Sequence, residues 1–280
     1  AFLVTENRTL ANDIFIPKDK LKGGKVLLVE DNHELLNVLS NLFSSTYEVV
    51  MAHNGKEGLD KAHEEFPDII VSDIMMPEMT GIELCETIKS DFNLCHIPIV
   101  LLTALASTQQ NIEGLTKGAD DYITKPFNTS ILLVRCNNLV HNRLMLQKKF
   151  QQQGYTDTEV IANNPIDQHF LDALNSVIEN HIDDTEFNID HLACALGLSR
   201  SSLYAKFKSL TGITPNDYIL SKKIKRAAHL LQSTQLQITE ISDMLGFGSS
   251  RYFTRCFKKS FGIAPSEYRK KENSAEKLSE

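Results

Sequence analysis

Five side chains able to act together on a phosphoryl group each lie at the end of a short apolar run. Glu30 and Asp31 follow Lys25–Val29, Asp73 closes Ile69–Asp73, Thr103 follows Ile97–Leu102, and Lys125 follows Asp121–Thr124. Converging carboxylates suit a hard divalent cation, Mg²⁺ (or Mn²⁺), which takes oxygen ligands and retains waters. A neighbouring lysine and threonine would neutralise and hydrogen-bond an incoming phosphoryl group. A metal, a positive charge and directed donors around spreading negative charge are the equipment of phosphoryl transfer. With Asp73 as nucleophile, the product is an acyl phosphate.

The four runs that carry these residues read as strands, and Glu48–Ala52 reads as a fifth. Helical patterns alternate with them: one with Leu35, Leu36, Leu39, Leu42 and Phe43 on a single face, then Gly58–Glu65, Ile82–Ile88, Gln109–Lys117 and Asn128–Leu144. Such alternation implies βα units and a parallel sheet covered on both faces. In an open sheet of this kind the working site lies beyond the carboxyl ends of the strands. Residues 1–24 read as a tail, 25–146 as this first domain, 147–168 as a polar linker with a helical start, 169–271 as an all-helical domain and 272–280 as a second tail.

The first domain resembles a response-regulator receiver, on Val29-Glu30-Asp31, Ser72-Asp73 through Pro77 to Gly81, Leu102-Thr103-Ala104 and Gly118 through Lys125-Pro126-Phe127. The resemblance implies a (βα)5, flavodoxin-like fold in which Asp73 accepts a phosphoryl group from a partner histidine kinase. It implies Glu30, Asp31, Asp73 and the Met75 backbone carbonyl as Mg²⁺ ligands. It makes Lys125 the bridge to phosphoryl oxygens, Thr103 and Tyr122 a switch pair, and Lys125-Pro126 a cis bond. Glu30 stands where that family more often has Asp.

The helical region contains a repeat offset by about fifty residues. Ile189–Leu198 aligns with Ile238–Phe247, and after one extra residue, Gly248, Ser199, Leu203 and Phe207 align with Ser249, Phe253 and Phe257. Gly212, Pro215 and Tyr218 then align with Gly262, Pro265 and Tyr268. Each copy reads as a short helix, a Gly-containing turn, a capping Ser and a second helix with a polar, basic outer face, the pattern of a helix-turn-helix unit. Between the copies, Asp217–Gln232 reads as a long amphipathic helix. Phe253, Phe257, Tyr218 and Tyr268 are read as core residues.

The repeat is similar to AraC/XylS DNA-binding domains over about Phe170 to Lys271. That likeness places base contacts on Ser201, Ser202, Tyr204 and Ala205 in the first unit. In the second it places them on Ser250, Arg251, Thr254 and Arg255, where arginine suits guanine. Lys206, Lys208, Lys258 and Lys259 are expected at phosphates.

Net charge of −7 conceals a division. Phe170–Lys271 holds about 14 Lys and Arg against about 10 Asp and Glu, roughly +4, and the tail from Glu272 contributes roughly −2, which leaves roughly −9 before Phe170. An acidic regulatory domain joined to a nucleic-acid-binding one fits that asymmetry. No apolar run approaches the roughly 20 residues of a membrane helix, and no signal peptide is visible. The five scattered cysteines form no CxxC pair and read as reduced thiols of a cytoplasmic protein. The expected partners are double-stranded promoter DNA, a histidine kinase, RNA polymerase and a second copy of the phosphorylated chain. The N-terminal Ala and the domain order lead us to expect a larger parent of the hybrid-sensor type. An aspartyl-phosphate hydrolase of the haloacid-dehalogenase type is the alternative enzyme, but Asp73-Ile74-Met75 lacks the second acid of its DxD pair. A receiver kept only for docking is the other alternative, opposed by the presence of Asp73, Thr103 and Lys125.

Overall fold

The structure, a computed structural model, describes residues 24–104, 118–152, 161–162 and 164–276. Five parallel strands form one sheet in the order β2-β1-β3-β4-β5. They are β1 (Gly24–Val29), β2 (Tyr47–Ala52), β3 (Ile69–Asp73), β4 (Ile99–Thr103) and β5 (Asp121–Thr124). β3 and β4 are buried along their whole length, which is why they read as unbroken apolar runs rather than as an alternation. The expected fourth strand began at Ile97. It starts instead at Ile99, and the Pro98 carbonyl accepts a hydrogen bond from Ile70 N at 2.9 Å.

Alternate residues of each strand serve opposite faces. Val26, Leu28, Val71, Val100 and Leu102 meet Leu36, Leu39 and Phe43 of α1 (His33–Phe43) and Leu132, Cys136 and Val140 of α4 (Thr129–Gln152). Leu27, Val29, Ile70 and Leu101 meet Ala62 of α2 (Gly55–Glu65) and Leu84, Cys85 and Ile88 of α3 (Gly81–Ser90). The chain after β1 therefore crosses to one face and the chain after β3 to the other. A crevice opens between the two strand ends. The helix expected near Gln109–Lys117 lies outside the described residues.

The chain divides into two compact units between Leu146 and Gln147. Beyond β5 the described residues are helical: α5 (Pro165–His181), α6 (Ile189–Ala195), α7 (Arg200–Thr211), α8 (Pro215–Ser233), α9 (Ile238–Met244), α10 (Ser250–Phe261) and α11 (Pro265–Glu276). The repeat is realised in these lengths: α6 and α9 have 7 residues each, α7 and α10 have 12. Ser199 and Ser249 cap their helices by accepting from the backbone N–H of Ser202 and Tyr252. Gly212 and Gly262 end them with φ of 74° and 79°, a left-handed conformation that favours glycine. Phe253 and Phe257 are fully buried and Tyr218 nearly so, while Tyr268 packs at the edge of the same core.

The 147–168 segment is helical at its start, and the first helix of the second domain begins before residue 169. α4 continues to Gln152 and α5 begins at Pro165. Phe150 is fully buried and stacks against Tyr218 with ring centroids 6.1 Å apart. A polar composition concealed one aromatic anchor.

Candidate functional site

β1 delivers Glu30 and β3 delivers Asp73 to adjacent positions, because the two strands pair in parallel with Val29 opposite Ser72. Glu30 (1% exposed) and Asp73 (8%) are buried, and Asp31 is exposed. One carboxylate oxygen from each of the three lies within 4.8 Å of the others. β5 brings in Lys125, whose ammonium stands 2.8 Å from Glu30 Oε2 and 3.0 Å from Asp73 Oδ1. Burial pushes the Glu30 carboxyl above its ordinary pKa, while the Lys125 hydrogen bond pulls it down. The ammonium and carboxylates are thus poised among like and unlike charges in a partly dehydrated cleft.

Thr103 is buried at the end of β4, and its carbonyl accepts from Lys125 N at 2.6 Å. The Lys125–Pro126 bond is cis. Tyr122 is half-buried against the core that contains Cys85. Among the described residues its hydroxyl is buried without a hydrogen-bond partner, and burial raises its pKa. Burial also pushes the Cys85 thiol up to about 11. Met75 follows Asp73 by two residues, with its side chain 67% exposed. Behind Asp73 the backbone is crowded: a Cβ on Gly81 would lie 2.0 Å from the Asp73 carbonyl oxygen. Glycine at the start of α3 is what lets that helix close against the strand, held by a reciprocal cap between Thr80 and Glu83.

The structure therefore brings Glu30, Asp31, Asp73 and Lys125 together, with Thr103 on the neighbouring strand. The donor set is all hard oxygen, on two adjacent strand ends, and it fits a Mg²⁺-type ion. Among the described residues no helix is long and apolar enough to cross a membrane. All five cysteines are free thiols.

The helical unit sorts the other predicted residues. Ser201, Lys208, Arg251, Arg255, Lys258 and Lys259 are exposed, and Ser202, Tyr204, Ser250 and Thr254 are half-buried. The Tyr204 hydroxyl accepts from Asn216 Nδ2 at 2.6 Å. Thr254 donates its hydroxyl to the Ser250 carbonyl at 2.9 Å, which leaves the threonine oxygen as an acceptor. Lys206 corrects the expectation of a phosphate contact. It is 1% exposed, and its ammonium is paired with the buried Asp167 of α5. The repeat held the signal, since Lys206 occupies the register of Cys256, next to the inward Phe207 and Phe257. Two exposed candidates were missed: Arg200 at the start of α7, and Tyr252, which is 42% exposed on α10.

Residues 26–137 match the family described as response regulator receiver domain, and residues 192–271 match one described as helix-turn-helix domain. Histidine kinase P4 of Formosa agariphila is 38% identical over 256 residues, covering 91% of this chain and 18% of that protein. Hybrid signal transduction histidine kinase D of Dictyostelium discoideum is 40% identical over 142 residues, covering 49% of this chain and 9% of that protein. The crystal structure of the receiver domain of a signal transduction histidine kinase from Syntrophus aciditrophicus is 35% identical, covering 42% of this chain and 90% of that one, with a TM-score of 0.41. The chain spans less than a fifth of the length of either kinase.

Proposed function

Because this chain joins a response-regulator receiver domain to an AraC-type helix-turn-helix DNA-binding domain, we propose that it regulates transcription through phosphorylation of Asp73. The observation that carries this reading is the placement of the Lys125 ammonium 3.0 Å from the Asp73 carboxylate and 2.8 Å from Glu30, in a cleft with a third acid. In the proposed step an Asp73 carboxylate oxygen attacks the phosphorus of a kinase phosphohistidine. The P–O bond forms as the P–N bond breaks, and the imidazole leaves. Glu30, Asp31, Asp73 and the Met75 carbonyl would hold Mg²⁺, which supplies positive charge to the phosphoryl oxygens. Lys125 exchanges its carboxylate partners for a phosphoryl oxygen, and the Thr103 hydroxyl donates to another. Tyr122 follows Thr103 inward, and among the described residues its buried hydroxyl has no partner that would hold it in one place.

On this reading the protein is a regulator rather than an enzyme. The phosphorylated chain dimerises and presents α7 and α10 to successive major grooves of promoter DNA, where it can meet RNA polymerase. Ser201, Ser202, Tyr204, Ser250, Arg251, Thr254 and Arg255 face bases, and Lys208, Lys258 and Lys259 face phosphates. The names of the two long relatives support a histidine-kinase donor in the same, longer polypeptide.

The test is a phosphate-affinity gel of the chain with acetyl phosphate and Mg²⁺, beside Asp73→Ala. A retarded band in the wild type that is absent from the variant is expected. An unretarded wild type, with a kinase donor as well as acetyl phosphate, refutes phosphoacceptance. A band that persists in the variant moves the acceptor elsewhere.

A further inference from the structure

Arg255 stands apart from the other outward-facing arginine of its recognition helix. Its guanidinium carbon lies 5.3 Å from the centroid of the Tyr252 ring, one turn earlier on α10. That is within the roughly 6 Å over which a cation is attracted to an aromatic face. Among the described residues, Arg251 has no such ring beneath it. The Tyr252 ring is itself braced. It leans on the buried Phe247 with centroids 6.2 Å apart, and its backbone N–H is held by the Ser249 cap at 3.2 Å.

The kind of contact matters as much as its existence. A guanidinium attracted to a ring face keeps its in-plane N–H groups available, and those groups make the paired bonds to guanine O6 and N7. An arginine held by a carboxylate would spend the same donors on the protein. Arg255 has no carboxylate within ion-pair distance among the described residues. Asp217 lines a surface groove together with Tyr252 and Arg255, but its carboxylate accepts from Thr214 Oγ1 at 2.6 Å at the start of its own helix. The first unit supplies the contrast. Arg200 lies 5.9 Å from the Tyr204 ring and also reaches Asp190 at 3.4 Å, so part of its donor capacity is used internally.

Resting on the DNA-binding reading above, we infer that Tyr252 is a positioning residue for Arg255, its ring holding the guanidinium so that the second unit discriminates guanine at one position of its operator. A long, rotamer-rich side chain loses less freedom on binding when it is already held near its bound geometry.

The experiment is selection from a randomised duplex library by the full chain with acetyl phosphate and Mg²⁺. Competition between the enriched duplex and its single-base variants follows, using wild type, Arg255→Ala, Tyr252→Phe and Tyr252→Leu. Arg255→Ala is expected to lose preference at one guanine, which locates the position. Tyr252→Phe keeps the ring and retains discrimination there. Tyr252→Leu keeps apolar bulk against Phe247 but has no π face, and loses roughly 2- to 5-fold of discrimination at that position alone. Full discrimination in Tyr252→Leu overturns the inference. So does an equal loss in the Phe and Leu variants, or a loss spread over every position, since these point to a hydroxyl contact or to general packing. A motif left intact by Arg255→Ala overturns it while leaving DNA recognition standing. A wild-type chain that enriches no motif overturns the DNA-binding reading as well.

Discussion

Lys206 and Asp167 form an ion pair whose two side chains are both 0% exposed, and it ties α7, the second helix of the first helix-turn-helix unit, to α5. Asp167 is also held by Asn164, which donates from Nδ2 at 2.7 Å, so its carboxylate is more than singly satisfied. A pair this deep is costly to break and cheap to replace. Asp167→Ala leaves a buried ammonium alone and is expected to cost about 3–5 kcal/mol. Replacing both partners together, Asp167→Leu with Lys206→Met, is expected to restore most of that loss. Urea unfolding of the three chains, followed by far-UV circular dichroism, checks the pattern. Equal destabilisation by the single and double variants would show that the charges are not what matters.

The same pair shows what a reading by residue type can miss. β3 and β4 were legible because burial on both faces demands continuous apolar runs, and the acids at the ends of β1 and β3 were legible because such a run stops where water or a ligand begins. The helix-turn-helix units were legible because a repeat reports structure twice. Lysine, however, was read as a surface residue by its type, although Cys256 at the equivalent register marked the position as inward-facing. Phe150 was lost in a glutamine-rich stretch for a similar reason. Its burial against Tyr218 is a tertiary fact that composition does not carry. Tyr252 was passed over because the likeness placed base contacts on its neighbours Arg251, Thr254 and Arg255, and its exposure is a fact of the folded helix.

Lys258 and Lys259 remain exposed in the last turn of α10 and should act on affinity without acting on sequence choice. Each phosphate contact removed lowers the steepness of log K against log salt by about 1. Lys258→Ala is therefore expected to weaken binding uniformly across operator variants and to flatten the salt dependence by about that amount. The double variant Asp167→Leu with Lys206→Met, which removes an internal ammonium together with its buried partner, should leave the slope unchanged. Fluorescence anisotropy over a salt series distinguishes the two, and a flattened slope in the double variant would contradict the buried position of Lys206.

Lys223 of α8 is buried, 8% exposed, and a Cβ on Gly246 would lie 3.2 Å from its ammonium. Burial lowers its pKa below the ordinary 10.5, with Asp184 acting in the opposite direction. The unfolded chain therefore binds this proton at pH values where the folded chain has released it. Stability from this group accordingly increases as pH rises from the folded pKa to 10.5 and is lost as pH falls through the folded value. Lys223→Met is expected to be more stable than wild type at pH 7, with the advantage shrinking towards pH 10.5. Thermal melts of both chains across alkaline pH test this, and an advantage that grows with pH would reverse the sign.

Gly81 sets the position of Asp73, the proposed phosphoacceptor, from behind. A methyl group there would meet the Asp73 carbonyl oxygen at 2.0 Å and the carbonyl carbon at 2.9 Å, and both are backbone atoms that cannot swing aside. The start of α3 or the end of β3 must move, and with it the Asp73 carboxylate relative to Lys125 and Glu30. Overpacking of this kind costs about 1–3 kcal/mol, and a displacement of about 1 Å at a reacting group can slow chemistry by roughly 100-fold. Gly81→Ala is expected to phosphorylate far more slowly with acetyl phosphate while retaining the far-UV spectrum of a folded chain. Its rate should also exceed that of Asp73→Ala, because the nucleophile is displaced rather than removed. A Gly81→Ala chain that phosphorylates at the wild-type rate would show that the site tolerates movement of the strand end, and that the Lys125–Asp73 spacing does not govern the reaction.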